Sequence, residues 1–275
     1  MKGFLIIIAL LFACNSFAQS YEEYLQKSYD FLDKNDLPSA EESLKAAMRL
    51  EPANPLNYAL LTNLGTIQRR QGKLEEALLS YTSALSAHTN DITILENRAS
   101  LYTELGETEK ALADYNNLLH EDPTHQESLY NRGLLYIQLK QYLWAEQDFD
   151  KIMEVNEKSV RARLGHAILE KARGSFDESE RIYNYLISEM PTDLILYEGR
   201  ADLYFRMGKN ARAMNDISKV FNEGKPTAAL YVLRGKVKLT QFEKERAAID
   251  FKKAESMGYD KATIDELMKL ANEKK

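Results

Sequence analysis

Residues 97–123 read NRASLYTELGETEKALADYNNLLHEDP, and residues 131–157 read NRGLLYIQLKQYLWAEQDFDKIMEVNE. Laid one over the other, Arg98 meets Arg132, Ala111 meets Ala145 and Tyr115 meets Phe149, all at one constant offset and without gaps. The same shape returns at 199–225 and 233–259, and further copies surround Gly72, Gly174 and, more divergently, Ala40. A fixed period of this kind marks one small supersecondary unit used many times over, and it outranks any residue-by-residue reading. Apolar residues inside each half-unit recur at helical spacing, as Leu129, Leu135, Tyr136 and Leu139 do. Pro38, Pro52, Pro55, Pro123, Pro191 and Pro226 all fall at helix starts or junctions. None interrupts a helical stretch, where it would cost about 3 kcal/mol.

Composition agrees with a helical chain and removes several classes of function. Among 275 residues, 44% are hydrophobic and 28% charged, too apolar for disorder and too charged for a multi-span membrane protein. Only 12 Gly and 6 Pro argue against a turn-rich β fold. A formal charge of -6 lacks the basic surplus of a nucleic-acid binder. The single cysteine, Cys14, excludes a disulfide framework and a thiolate zinc site. His88, His120, His125 and His166 show no metal-ligand spacing. No serine sits in a nucleophile elbow, and the glycines are explained by repeat turns rather than a phosphate loop. The expectation is therefore no enzyme, no metal and no cofactor.

The repeated unit resembles the tetratricopeptide repeat, a helix–turn–helix of about 34 residues. Starting repeats at Tyr21, Tyr58, Ile92, Gln126, Val160, Leu194 and Ala228 brings the signature positions into line. Position twenty, where two helices cross closely, reads Ala40, Ala77, Ala111, Ala145, Ser179, Ala213 and Ala247. Position twenty-four reads Leu44, Tyr81, Tyr115, Phe149, Tyr183, Ile217 and Phe251. Position fifteen, the turn, holds Gly72, Gly106, Gly174 and Gly208. Position eleven, usually aromatic, is polar in three repeats as Gln68, Glu170 and Lys238, which predicts looser packing there. The resemblance covers residues 21–261 and implies an all-α, right-handed superhelical solenoid of seven repeats. Such units bury their faces only by stacking, so arrays end in a solvating helix. Residues 260–275, DKATIDELMKLANEKK, fit that role with Asp260 as N-cap. The repeat domain is expected to span 19–275.

The repeats also correlate with one another. Position seven is Arg98, Arg132, Arg200 or Arg234 in four of them, and position twenty-three in the same four is Asp114, Asp148, Asp216 or Asp250. The remaining repeats have neither residue: Lys27 with Ser43, Leu64 with Ser80, His166 with Ile182. This predicts an Arg–Asp pair between the two helices of each of the four repeats, fixing register more than adding stability.

The resemblance implies a concave groove lined by the first helices, which takes an extended peptide or a partner protein. Its groove positions map onto two regions. In repeats two to four they give a polar lining with Asn63, Asn97 and Asn131 in series, flanked by Thr66, Arg70, Ser100 and Tyr130. Asparagine offers both a donor and an acceptor, which suits a peptide backbone whatever its side chains. In repeats five to seven the lining is more apolar: Leu164, Ile168, Ile195, Phe205, Val232, Leu233 and Leu239, with Gly165 and Gly199 leaving space. The Lys-and-Asn carboxylate clamp of some family members is absent; its positions read Leu25 with Tyr29, Thr62 with Thr66, and Glu96 with Ser100.

The first eighteen residues, MKGFLIIIALLFACNSFA, read as a secretory signal peptide. Lys2 precedes an apolar run from Phe4 to Ala13, too short to span a bilayer, and Ser16-Phe17-Ala18 supplies small residues before a cut at Gln19. Leu11-Phe12-Ala13-Cys14 offers a competing lipobox, in which Cys14 would carry lipid. Either cut implies an exported protein of a Gram-negative-type bacterium. It would be periplasmic or secreted, or else an outer-membrane lipoprotein touching membrane only through Cys14. The function expected is a non-catalytic scaffold or adaptor, or, if anchored, an assembly factor of an envelope complex.

Overall fold

The computed structural model describes residues 20–272; the leader expected at 1–18, with Cys14, lies outside them. Among the described residues there are fifteen helices and no strand. They pair as α1 (Tyr21–Asp33) with α2 (Leu37–Leu50), α3 (Asn57–Arg70) with α4 (Leu74–Ala87), and α5 (Ile92–Glu104) with α6 (Thr108–Glu121). Then come α7 (Gln126–Gln138) with α8 (Tyr142–Val155), α9 (Val160–Arg173) with α10 (Phe176–Glu189), α11 (Leu194–Arg206) with α12 (Asn210–Glu223), and α13 (Ala228–Thr240) with α14 (Lys244–Ser256). The last helix is α15 (Lys261–Asn272). The described residues divide into two compact units, one ending at Pro123 and one beginning at Thr124. The first stacks three hairpins; the second stacks four and α15. No described helix is long and apolar enough to cross a membrane.

Local chemistry starts and stops these helices. The residue just before a first helix caps it: Ser20, Asp91, Ser159, Asp193 and Thr227 each accept a backbone N–H from the first turn. Ser20 and Glu23 form a reciprocal capping box. Asp260 caps α15 through the Thr263 N–H at 2.8 Å. The turn inside every hairpin is the same. The N–H of position sixteen bonds the carbonyl of position eleven, as in Asp36 to Phe31, Gln141 to Tyr136 and Glu243 to Lys238. That closure requires a left-handed residue at position fifteen. Glycine supplies it four times, but Asn35, Lys140 and Phe242 adopt φ of 56°, 59° and 61° at the same place. An L-residue with a long side chain costs about 1–2 kcal/mol in that conformation. Lys140→Gly should therefore raise the stability of the second unit by roughly 1 kcal/mol. The check is a higher denaturant midpoint at unchanged slope; an equal or lower midpoint contradicts it.

Packing follows the repeat positions. Six alanines and Ser179 at position twenty are all 0% exposed. Ser179 satisfies its hydroxyl by donating to the Ala167 carbonyl at 2.7 Å. The position-twenty-four rings lie against glycines. A Cβ on Gly65 would stand 2.7 Å from Tyr81, and one on Gly235 would stand 2.3 Å from Phe251. Phe149 is gripped on two sides: a Cβ on Gly133 would come within 2.5 Å of its ring and one on Gly165 within 2.6 Å. The space expected at Gly165 and Gly199 is therefore not groove volume. The rings of Phe149 and Tyr183 from the preceding hairpin fill it. α15 covers the end of the second unit, burying Ile264, Leu267 and Ala271 against Phe251 and Ala254.

All four Arg–Asp pairs form, and each is two-pronged. Arg98 Nε and Nη2 reach the Asp114 oxygens at 2.7 Å each. The corresponding bonds are 3.0 and 2.6 Å for Arg132–Asp148, 2.8 and 2.8 Å for Arg200–Asp216, and 2.9 and 2.6 Å for Arg234–Asp250. The four aspartates are buried, so the pairs join helices rather than face a ligand. Arg98, Arg132 and Arg200 also lie near the position-eleven rings of Tyr102, Tyr136 and Tyr204. The polar eleventh positions are tied down rather than loose: Lys238 joins Asp250 at 2.7 Å, and Gln68 accepts from Ser80 at 2.7 Å. Gln68 also belongs to a network around buried Glu41, which takes Lys45 at 2.6 Å and Lys73 and Gln71 at 2.8 Å. Burial alone would raise the Glu41 carboxyl; hydrogen bonds from Lys45, Lys73, Gln71 and Gln68 overcome it and hold it at about 2.

Candidate functional site

In the first unit the polar residues of interest stand on α3 and α5, at matching positions of neighbouring hairpins. Asn63 is exposed on α3. One turn on, the Thr66 hydroxyl sits 3.1 Å from the Thr62 carbonyl and 3.0 Å from the Tyr81 hydroxyl. Asn97 on α5 turns its amide back onto its own helix, donating to the Thr93 carbonyl at 2.9 Å. Ser100 accepts from Arg69 Nη2 at 3.1 Å, while Arg69 Nε reaches Glu104 at 2.7 Å, so two hairpins are clasped across this face. Arg70 points its guanidinium to Asn35 Oδ1 at 2.8 Å. Of the first-unit residues expected to meet a ligand, Asn63, Thr66 and Arg70 are exposed, while Asn97 and Ser100 are half-buried. Arg70 and Ser100 spend hydrogen bonds on holding neighbouring repeats together.

Asn131 and Tyr130 belong to the second unit, on α7. Asn131 donates weakly to Glu127 at 3.4 Å. Tyr130 lies between the Phe149 ring, 6.0 Å away, and the Arg161 guanidinium, 5.3 Å away. Burial raises its phenol above the ordinary value. Its ring is therefore largely a packing element.

The apolar lining expected further along divides: Ile195 is 66% exposed, Ile168, Phe205 and Leu239 are half-buried, and the rest turns inward. Val232 and Leu233 are buried, and Leu164 packs against the cluster of Tyr183 and Leu203. What stays open is a cleft of about 350 Å³ between α11 and α13. Its floor is Phe205, Val232 and Leu233, and its rim carries Glu198, Asp202, Arg206 and Lys236. Asp202 is held in place by Lys171 at 2.7 Å and Arg206 at 3.0 Å. Burial would push its carboxyl up, but these two cations bring it below the ordinary range. Burial pushes Glu198 the other way, upward, against a 3.1 Å bond from Thr227. An apolar floor inside a ring of positioned charges is the usual make-up of a site that grips one or two side chains of a partner. The rim residues occupy positions five, nine and thirteen of repeat six and position nine of repeat seven. Those are groove positions, so the register was available in the sequence; their charges read as ordinary solvated surface.

Stacked two-helix hairpins with a binding face on the first helices define the class of repeat proteins that act as interaction scaffolds. The sequence profile of the tetratricopeptide repeat matches residues 25–92 and 97–154. A tetratricopeptide repeat protein from Parabacteroides merdae ATCC 43184, known from its crystal structure, is 81% identical. That match covers 93% of this chain and 100% of the other, with a TM-score of 0.89. The chain belongs to the tetratricopeptide repeat family, whose members are generally protein-binding scaffolds rather than enzymes. Human Tetratricopeptide repeat protein 6 is 29% identical over 110 residues, 40% of this chain, which spans 21% of that protein's length. The solved structure of PilW, a type IV pilus biogenesis factor, shares the fold at 18% identity and a TM-score of 0.60, over 76% of this chain and 98% of its own.

Proposed function

We propose that this chain is a non-catalytic scaffold of a bacterial cell envelope that holds an extended segment of a partner protein. The single observation that carries the reading is the cleft between α11 and α13, with its apolar floor and fixed charged rim. The polar surface of α3 and α5 around exposed Asn63 is assigned a supporting role. Arg206 and Lys236 lie on the rim rather than in the core; reversing both gives up the Arg206–Asp202 bond but keeps Lys171 on Asp202 at 2.7 Å. In crosslinked pull-downs from envelope extracts, Arg206→Glu with Lys236→Glu should lose the partners that the unaltered chain recovers. Recovery of every partner by the variant would sink the cleft as the site.

Export rests on the leader pattern of residues 1–18. Intact-mass measurement of the mature protein should give a start at Gln19. An acylated Cys14 start would instead favour the second reading, a lipid-anchored assembly factor, which the Leu11-Phe12-Ala13-Cys14 stretch motivates.

A further inference from the structure

The place where positions seven and twenty-three meet separates closed hairpins from open ones. Four are shut by an Arg–Asp pair. In repeat two, buried Leu64 and the Ser80–Gln68 bond do the same work. The remaining two, repeats one and five, each keep a cleft there, of about 530 Å³ and about 540 Å³. Repeat five differs from its siblings in more than the missing pair. It has Glu170 where four others place an aromatic ring, and it brings Arg163 to position four. It also carries Tyr185 at position twenty-six, where the other six have Ala46, Ser83, Asn117, Lys151, Lys219 and Lys253. An aromatic ring has in effect moved from the interior of the hairpin to its mouth.

The charges around this cleft are paired with one another except at Arg163. Glu178 takes two bonds from Arg181, at 2.9 and 2.6 Å. Glu170 is held by Arg173 at 2.9 Å, and His166 Nε2 faces Asp150 at 3.2 Å. Arg163 donates one bond to the Glu157 carbonyl at 2.8 Å and lies 5.1 Å from the Tyr185 ring. It reaches no carboxylate among the described residues, so most of its N–H donors are left for a ligand. Ile182 and Tyr185 supply apolar surface beside it.

We infer that the repeat-five seam is a second recognition site, separate from the α11–α13 cleft, which takes an acidic peptide segment of a partner protein. A carboxylate of that segment pairs with Arg163, and an adjacent apolar side chain lies against Ile182 and Tyr185. Guanidinium and carboxylate match in geometry as well as charge, and repeat five has Ile182 rather than an aspartate at position twenty-three to compete for a guanidinium.

The test titrates the full chain with acetyl-Glu-Leu-Glu-Leu-amide and with its Gln-Leu-Gln-Leu counterpart, following amide shifts in α9 and α10. The expected result is saturable binding of the acidic probe, with the glutamine probe and the Arg163→Gln variant each weaker by about tenfold or more. His166→Arg with Ile182→Asp rebuilds the pair that shuts four other hairpins and should abolish probe binding. The same variant should leave partner recovery through the α11–α13 cleft unchanged, which separates this site from the one proposed above. Equal binding of both probes, or undiminished binding by either variant, would overturn the assignment. Self-association of the chain that Arg163→Gln dissolves would also overturn it, by giving the seam to a second copy.

Discussion

Replacing Gly165 by valine should destabilise the second unit by about 3 kcal/mol, at the upper end of what overpacking usually costs. Helix propensity alone predicts the opposite sign, because glycine is the poorer helix former by a few tenths of a kcal/mol. Sterics decide. The new Cβ would lie 2.6 Å from the Phe149 ring, closer than carbon atoms approach, and branching adds bulk beyond it. The ring has little room to retreat, because Gly133 also approaches it to 2.5 Å by the same measure, and Phe149 is 0% exposed. The strain therefore passes into the spacing of α7 and α9. Denaturant unfolding and hydrogen exchange in both helices would report it. Shrinking the ring by Phe149→Leu should recover at least about 1 kcal/mol in the double variant relative to additivity. A loss under about 0.5 kcal/mol, or strict additivity, would show that the hairpins slide apart freely and that the glycine is not required for close approach.

The second large effect lies in the Arg132–Asp148 pair. Asp148→Ala should cost about 3 kcal/mol, since it strands a guanidinium that is only 20% exposed. The pair itself adds little. Burial pushes the Asp148 carboxyl up and the bonds from Arg132 pull it back only in part, so desolvation offsets much of what the pairing gains. Removing both charges together, as Arg132→Met with Asp148→Leu, should therefore leave stability within about 1 kcal/mol of the starting protein. Repeat arrays open in sections, so exchange rates in α7 and α8 are the sharper readout beside the global curve. Equal losses in the single and double variants would refute the pairing argument.

These cases show why parts of the molecule could be read from its sequence. Position twenty permits only small residues, because two helices cross there with nothing between them. The constraint recurs once in every repeat, and its period is visible without knowing any contact. The Arg–Asp pairs were legible for a similar reason: both partners lie 16 residues apart inside one hairpin and vary together across the copies. The left-handed turns at Lys140 and Phe242 were hidden, since neither residue type signals that backbone conformation. The Glu41 network was hidden because three of its partners, Gln68, Gln71 and Lys73, come from the next hairpin, at spacings the period does not mark. The candidate binding surfaces were least legible. Side chains at groove positions turn inward or outward according to their neighbours. Val232 is buried where exposure was expected, and Asn97 folds back on its own carbonyls.

The self-contained pairs bear on how such a chain grows and shrinks over time. A duplication or deletion of one whole repeat carries both members of an Arg–Asp pair together, so no buried charge is orphaned by the event. The ring-and-glycine contacts obey a different rule. Phe149 needs Gly165 in the hairpin that follows, and Tyr183 likewise needs Gly199. A unit bearing such a ring is tied to its successor. A hairpin that carries only the pair is free to be copied elsewhere in the array, whereas repeat four, which carries both the Arg132–Asp148 pair and Phe149, is bound to the hairpin that follows it.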